Sequence, residues 1–237
     1  LEPFIFTTAI IKKQIRIRPT SWRPLGFLPD LETKSAAERR YVNSRNRGAT
    51  AQAYHLALEH LLEGLEEVQD RGIVHWLRLG HHVKRVRIRP EVACVINDGK
   101  SADMLTLRVP SHHYNRHVSR CCETQQKDAD QTTADCWFIK INDEMEELFR
   151  VVGMSDLEVA EDPMYNNSTE GEARSVVSEA KKKLDELHFT PVRQAFMARC
   201  IRFGLDPRNI WGANPVDLMH AFQSGILMYL VKMVLDK

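Results

Sequence analysis

An apolar run bounded by two structure-breaking signals constrains the fold of this chain more than any other feature. The run is Val92–Ile96, with Pro90 before it and the pair Asp98-Gly99 after it. Five apolar residues between a proline and a turn-forming pair are typical of a buried strand that ends in a tight turn. The sequence therefore predicts a sheet with Asp98 at an exposed strand end, where binding and catalytic residues are often placed.

Three interpretations of Asp98 follow from this position. Gly99-Lys100-Ser101 resembles the end of a nucleotide-binding phosphate loop, but that loop requires a glycine five residues before its Gly-Lys, where this chain has Cys94. The phosphate loop is therefore excluded. Asp98 remains either a turn residue or a Mg²⁺ ligand, since hard oxygen ligands suit that ion, and Asp103 competes for the same role.

Composition and charge limit the classes of protein that this chain can be. With 237 residues, 43% hydrophobic and 27% charged, it can form one or two globular domains with a core. Its net charge of +1 provides no global attraction for nucleic acid, which leaves local basic patches. Five cysteines, an odd number, favour a reducing intracellular compartment. The apolar stretch 215–235 contains Asp217, His220 and Lys232, so we expect a core helix and no membrane partner.

Hydrophobic periodicity predicts strands with one helix, then an irregular polar segment, then mostly helices. The predicted strands are residues 4–11, 83–89 and 92–97, and three prolines mark residues 19–29 as irregular. The predicted helices are residues 50–68, with Gly72 just past the end, 143–152, 172–187, 192–203, ended by Gly204, and a last one from Pro215. Strand–helix–strand order favours an α/β fold.

Two basic segments are candidates for nucleic-acid contacts, because Lys and Arg side chains supply most of the affinity for phosphate backbones. The first segment carries Lys12, Lys13, Arg16 and Arg18, and the second carries Lys84, Arg85, Arg87 and Arg89. The second partly alternates, as a strand with one basic face would. Solvated strand edges rich in Lys and Arg are the alternative interpretation.

The polar segment between residues 110 and 135 concentrates potential zinc ligands. Its candidates, together with one cysteine just beyond it, are His112, His113, His117, Cys121, Cys122 and Cys136. Structural zinc sites take four nitrogen or sulfur ligands, usually with a Cys-x-x-Cys pair, and here Cys121 and Cys122 are adjacent instead. A zinc site through His117, Cys121, Cys122 and Cys136 and a surface loop both remain open.

Asp217 and His220 are three residues apart in the last predicted helix. That spacing places both polar side chains on one face of an otherwise apolar helix, which would suit a catalytic pair. The alternative is structural, with Asp217 near the helix N-terminus as a capping residue after Asn214 and His220 as a partly buried histidine.

Several phrases together resemble the transposase-like proteins of CACTA-type and Plavaka-type DNA transposons, in a variant found in diatoms and other protists. The specific phrases are WRPLGFLPDL, VINDGKSADML and PVDLMHAFQSGILMYL, and the resemblance spans nearly the whole chain. It implies a DDE-type enzyme that cleaves and transfers DNA strands by two-metal phosphoryl transfer. It also implies nuclear localisation, DNA contacted through its backbone, and self-association.

The resemblance also implies a fold and residue roles. The expected fold is an RNase H-like mixed sheet core over residues 1–110, a helical and irregular insertion over 111–204, and a helix over 205–237 that returns to the core. Asp98 matches the second catalytic, Mg²⁺-binding Asp, and Asp217 and His220 match an Asp-x-x-His signature. The family's Cys-x-x-Cys is degraded here to Cys121-Cys122.

The family's first and third acids would fall before Leu1 and after Lys237. We therefore expect an internal fragment of a longer transposase chain, inactive alone. A non-catalytic module that binds nucleic acid or protein, left from a transposable element, is the alternative.

Overall fold

The computed structural model describes residues 2–7, 11–28, 35, 37, 48–97, 99–109, 143–165, 169–204, 210, 213 and 234. Its strands are β1 (Glu2–Phe6), β2 (Arg23–Leu28), β3 (Ile73–Leu79) and β4 (His82–Ile88). Its α-helices are α1 (Lys13–Arg16), α2 (Ala49–Arg71), α3 (Gly99–Leu105), α4 (Asp143–Val152), α5 (Asp156–Glu161), α6 (Glu170–Glu186) and α7 (Ala195–Ala198). Short 3₁₀ turns occupy Pro19–Ser21 and Pro163–Tyr165. The fold is therefore mixed α/β, as predicted at the level of class.

Helix α2 is the longest element and forms one side of the core. Its buried positions recur at helical spacing, and Leu58 and Leu62 are fully buried. Gly72 ends the helix with φ of +71°, a conformation that costs a glycine little. The helix predicted over residues 50–68 is confirmed and extends slightly at both ends.

Helices α4 and α6 pack against each other and complete the core. Thr169 caps α6, because its side chain accepts from the Glu172 N–H while the Glu172 carboxylate accepts from the Thr169 N–H. The Phe149 ring of α4 also contacts the ring of Phe189, which follows α6, edge to face with the ring centroids 5.7 Å apart. The helices predicted over 143–152 and 172–187 are confirmed.

The single mixed sheet that we expected over residues 1–110 is not present in the described ranges. Strand β1 pairs with β2, and β3 pairs with β4, in two separate two-stranded antiparallel sheets. Strand β2 lies in the segment predicted to be irregular, and Pro24 is accommodated where the β1–β2 register shifts, between Phe4 and Ile5. This sheet packs on α2 at Gly26, where an added Cβ would lie 2.2 Å from a methyl group of Leu61.

The buried strand predicted at Val92–Ile96 is also wrong. The segment forms one isolated parallel bridge, between Val92 and Phe203, and the Val95 N–H donates to the Ala213 carbonyl at 2.8 Å. Ile96 is exposed, so the apolar run is not buried as a whole. In the described ranges β1 pairs only with β2, so the run is not part of that sheet.

The helix predicted over residues 192–203 shortens to α7. Gln194 begins it, since its side-chain oxygen accepts from the N–H groups of Phe196 and Met197. The helix ends because Cys200 adopts φ of +50°, and the Ile201 N–H then donates to the Phe196 carbonyl at 2.9 Å. A left-handed Cys200, rather than Gly204, therefore stops this helix.

Candidate nucleic-acid interface

The predicted site residues divide into two groups. The main candidates for catalysis and metal binding lie outside the described residues: Asp98, Asp217, His220, His117, Cys121, Cys122 and Cys136. Asp103, the alternative to Asp98 as a Mg²⁺ ligand, lies in α3. The basic candidates lie within them: Lys12, Lys13, Arg16, Arg18, Lys84, Arg85, Arg87 and Arg89. The described part of the candidate site therefore consists of the second group.

Strands β3 and β4 form a hairpin, which we call the ribbon (residues 73–88). They are joined by the two-residue loop Gly80-His81, and Gly80 has φ of +64°. A left-handed glycine at the first position of a two-residue loop matches the twist of the flanking strands. Residues paired across the ribbon share a face, and successive residues along each strand alternate between faces.

One face of the ribbon carries three arginines and a tryptophan. The paired residues there are Trp76 with Arg85, Val74 with Arg87, and Arg78 with Val83. All six are exposed. We call this set the arginine face: Val74, Trp76, Arg78, Val83, Arg85 and Arg87.

The opposite face is more aliphatic. It includes Leu77 paired with Lys84, and His75 paired with Val86. Lys84 therefore lies on the opposite face from Arg85 and Arg87, in keeping with an alternation that is only partial in the sequence. Arg89 follows the end of β4 and returns to the arginine side, because its Cγ and that of Arg87 both lie beside Gly72.

The cations of the ribbon have no partners in the part of the chain that the structure describes. The side chains of Arg78, Arg85 and Arg87 form no ion pair and no hydrogen bond with the described residues. No Asp or Glu occurs between Arg71 and Glu91, whereas five Lys and Arg residues do: Arg78, Lys84, Arg85, Arg87 and Arg89. A chain of net charge +1 thus concentrates five cations, without acids, on one exposed hairpin and the short segment that follows it.

The base of the ribbon is held firmly. Gln69, at the end of α2, donates to the Arg202 carbonyl at 3.0 Å and accepts from the Arg202 N–H at 2.8 Å. The Val92 N–H donates to the same carbonyl at 3.2 Å. Both ends of the hairpin are therefore tied to one stretch of backbone, which fixes where the arginine face begins.

The first basic segment is not a strand. Lys13 and Arg16 lie in the short helix α1, and Lys12 precedes it. The turn is stabilised locally, because the Trp22 indole N–H donates to the Arg16 carbonyl at 2.9 Å. This segment connects β1 to β2, which packs near Leu61, whereas the ribbon leaves α2 at its C-terminal end. The two basic segments thus attach to different parts of α2.

One histidine, His55, is buried in the core and has a structural role. Burial lowers the pKa of His55 to about 4, partly offset by its hydrogen bond to Met104 and the charge of Glu59. Its Nε2–H donates to the Met104 carbonyl at 3.0 Å, and its Nδ1 accepts from the Ala195 N–H at 3.1 Å. Both ring nitrogens are satisfied, so this neutral imidazole joins α2, α3 and α7 as a structural element.

Trp76 and Arg78 belong to the candidate site although neither was predicted. Their strand could have been found, because residues 73–79 and 82–88 flank a Gly-His pair as the two arms of a hairpin. Which residues face Arg85 and Arg87 depends on the register of that pairing.

No family model, curated protein or solved structure matches the chain. Among the described helices, none combines the length and apolarity needed to cross a membrane. The described residues contain no group of three or more His, Cys, Asp or Glu side chains placed to hold a metal ion.

Proposed function

We propose that this chain binds DNA through the arginine face of the ribbon, as part of a DDE-type transposase. The observation that carries the DNA-binding part is the cluster of exposed cations on the ribbon with no acidic neighbour and no partner among the described residues. Such side chains are free to neutralise phosphates, and counterions released from the DNA then provide the affinity. Cations with a structural role would instead be paired with carboxylates.

The transposase part of the proposal rests on the sequence resemblance. In it, Asp98 would bind Mg²⁺, Asp217 and His220 would lie beside it, and the sheet core would be RNase H-like. The mixed α/β class is compatible with that core, although its strands would have to pair beyond the two small sheets described. Nuclear localisation and a role for zinc belong to the same proposal.

The test is the salt dependence of duplex DNA binding. We expect weak affinity that falls as salt rises, with the same slope for unrelated DNA sequences. The variant R85Q/R87Q/R89Q should reduce the slope of log affinity against log salt by about two to three, because each phosphate contact contributes about 0.9.

The matched control is K181Q/K182Q/K183Q, which removes the same charge from the exposed side of α6. This variant should keep the slope of the wild-type protein. Equal slopes for the wild type and R85Q/R87Q/R89Q would show that the arginine face does not contact the DNA. Equal losses in both variants would mean that only net charge matters.

A further inference from the structure

Trp76 is the residue of the ribbon that phosphate binding does not explain. Its side chain is 63% exposed, although tryptophan is highly buried on average in folded proteins. Among the described elements, the ribbon strands make their main contacts with each other, so no helix covers the indole. Its exposure therefore has no packing explanation in this part of the chain.

The surroundings of the indole are cationic. Arg85 is its direct cross-strand partner, so their Cβ atoms lie roughly 5 Å apart, and Arg87 is a diagonal neighbour on the same face. Arg78 follows two residues along the same strand and also shares the face. The indole thus shares its face with arginines from both strands, all exposed and none neutralised by a described residue.

We infer that Trp76 stacks on an unpaired DNA base while the neighbouring arginines contact the phosphates beside it. The ligand of the arginine face is then single-stranded DNA, which narrows the DNA binding of the proposed function on which this inference rests. An aromatic ring among cations matches a single strand, because its bases present open faces and its backbone is anionic. In an intact duplex the bases are stacked on each other, so the same ring would meet only groove edges.

Stacking of this kind tolerates every base, since each has a π-face, and it is worth roughly fivefold to a hundredfold in affinity per base. The arginines add a salt-dependent contribution that single and double strands share. The two contributions are carried by different side chains, so substitutions can separate them.

The experiment measures the binding of a labelled short oligothymidylate and of a duplex to four proteins, by fluorescence anisotropy at fixed salt. The proteins are the wild type, W76A, W76F and R85Q/R87Q/R89Q, with circular dichroism and thermal melting to confirm folding. We expect W76A to lose at least about fivefold in single-strand affinity and less than about twofold in duplex affinity. W76F should recover most of the loss, and the arginine variant should lose both affinities.

An oligonucleotide with abasic sites in place of thymidine provides a second readout. The wild type should bind it more weakly than oligothymidylate by the factor that W76A costs, whereas W76A should bind both equally. Equal losses of single-strand and duplex affinity in W76A, or no loss at all, would overturn the stacking inference while salt-dependent binding through the arginines survived. If the wild type bound neither DNA, the proposed function and this inference would both be wrong.

Discussion

The helical core and the ribbon use arginine in opposite ways. In the core, Arg193 forms two hydrogen bonds to Glu59, at 3.0 and 3.1 Å, and a third to the Gly153 carbonyl. Arg199 lies beside the same glutamate and also pairs with Glu66 at 3.5 Å. On the ribbon, Arg85 and Arg87 have no such partner among the described residues.

This contrast separates structural charge from charge available for binding. A paired arginine joins two elements, as Arg193 joins α2 to the segment before α7. An unpaired arginine on an exposed hairpin stabilises little, and a two-stranded hairpin is itself only marginally stable. We therefore expect substitutions in the core to change stability and substitutions on the ribbon to change binding.

The largest expected effect is in the core of α2. Leu58 is fully buried, so L58A should lower the free energy of unfolding by about 2–5 kcal/mol, through lost burial and the cavity left behind. Leu56, two residues earlier, is 53% exposed, and L56A should change the free energy of unfolding by less than about 0.5 kcal/mol. Urea unfolding measures both. Under conditions in which L58A is folded, its DNA affinity should equal that of the wild type. A loss of DNA affinity in L58A would contradict the division into a stabilising core and a binding ribbon.

The next effect is a dependence of core stability on pH. The pKa of His55 is about 4 in the folded protein against 6.5 ordinarily, because burial disfavours its charged form. As pH falls below 6.5 the unfolded chain takes up a proton that the folded protein does not. The stability contributed by the neutral imidazole is therefore complete above pH 6.5 and lost as pH falls to about 4, a change of roughly 3 kcal/mol.

The variant H55Q isolates this contribution from the carboxylates that titrate in the same range. It should be less stable than the wild type at pH 7, and the difference should shrink as pH falls. Urea midpoints at several pH values between 7 and 4 provide the comparison. A constant difference across that range would show that His55 does not titrate as its burial requires.

A smaller effect concerns the β1–β2 sheet, which joins the core through Gly26. G26A should destabilise the protein by about 1–3 kcal/mol, because the added Cβ would overlap a Leu61 methyl group. Gly64 lies three residues further along α2 with nothing near its Cβ position, so G64A should stabilise by about 0.5–1 kcal/mol. Thermal unfolding of both variants shows whether each is more or less stable than the wild type. Two changes of the same sign would contradict the packing of β2 on α2.

The smallest stability effect is expected on the ribbon. R85Q/R87Q should change the free energy of unfolding by less than about 0.5 kcal/mol, since neither side chain has a described partner to lose. Chemical unfolding of this variant beside R193A, which loses its pairing with Glu59, sharpens the comparison. A similar loss in both would give the ribbon arginines a structural role.

Hydrophobic periodicity predicted the elements that local sequence determines. It did not predict which segments pair with each other. Helices α2, α4 and α6 follow from repeated apolar positions, and β4 follows from its alternation. The run Val92–Ile96 has the composition of a buried strand, yet its backbone bonds to Arg202 and Ala213, which lie in a distant segment that periodicity does not identify. In the candidate site, Arg85, Arg87 and Arg89 were predicted from composition. Trp76 was not, because only the hairpin register places it beside them.

Hydrogen exchange with and without DNA tests most directly the claim that the ribbon is the binding region. In the free protein, backbone amides of residues 73–88 should exchange faster than those of α2 and α6, because both faces of the ribbon are largely exposed. Saturating single-stranded DNA should slow exchange in the ribbon and leave the two helices unchanged. Unchanged ribbon exchange, with protection arising elsewhere in the chain, would contradict the account.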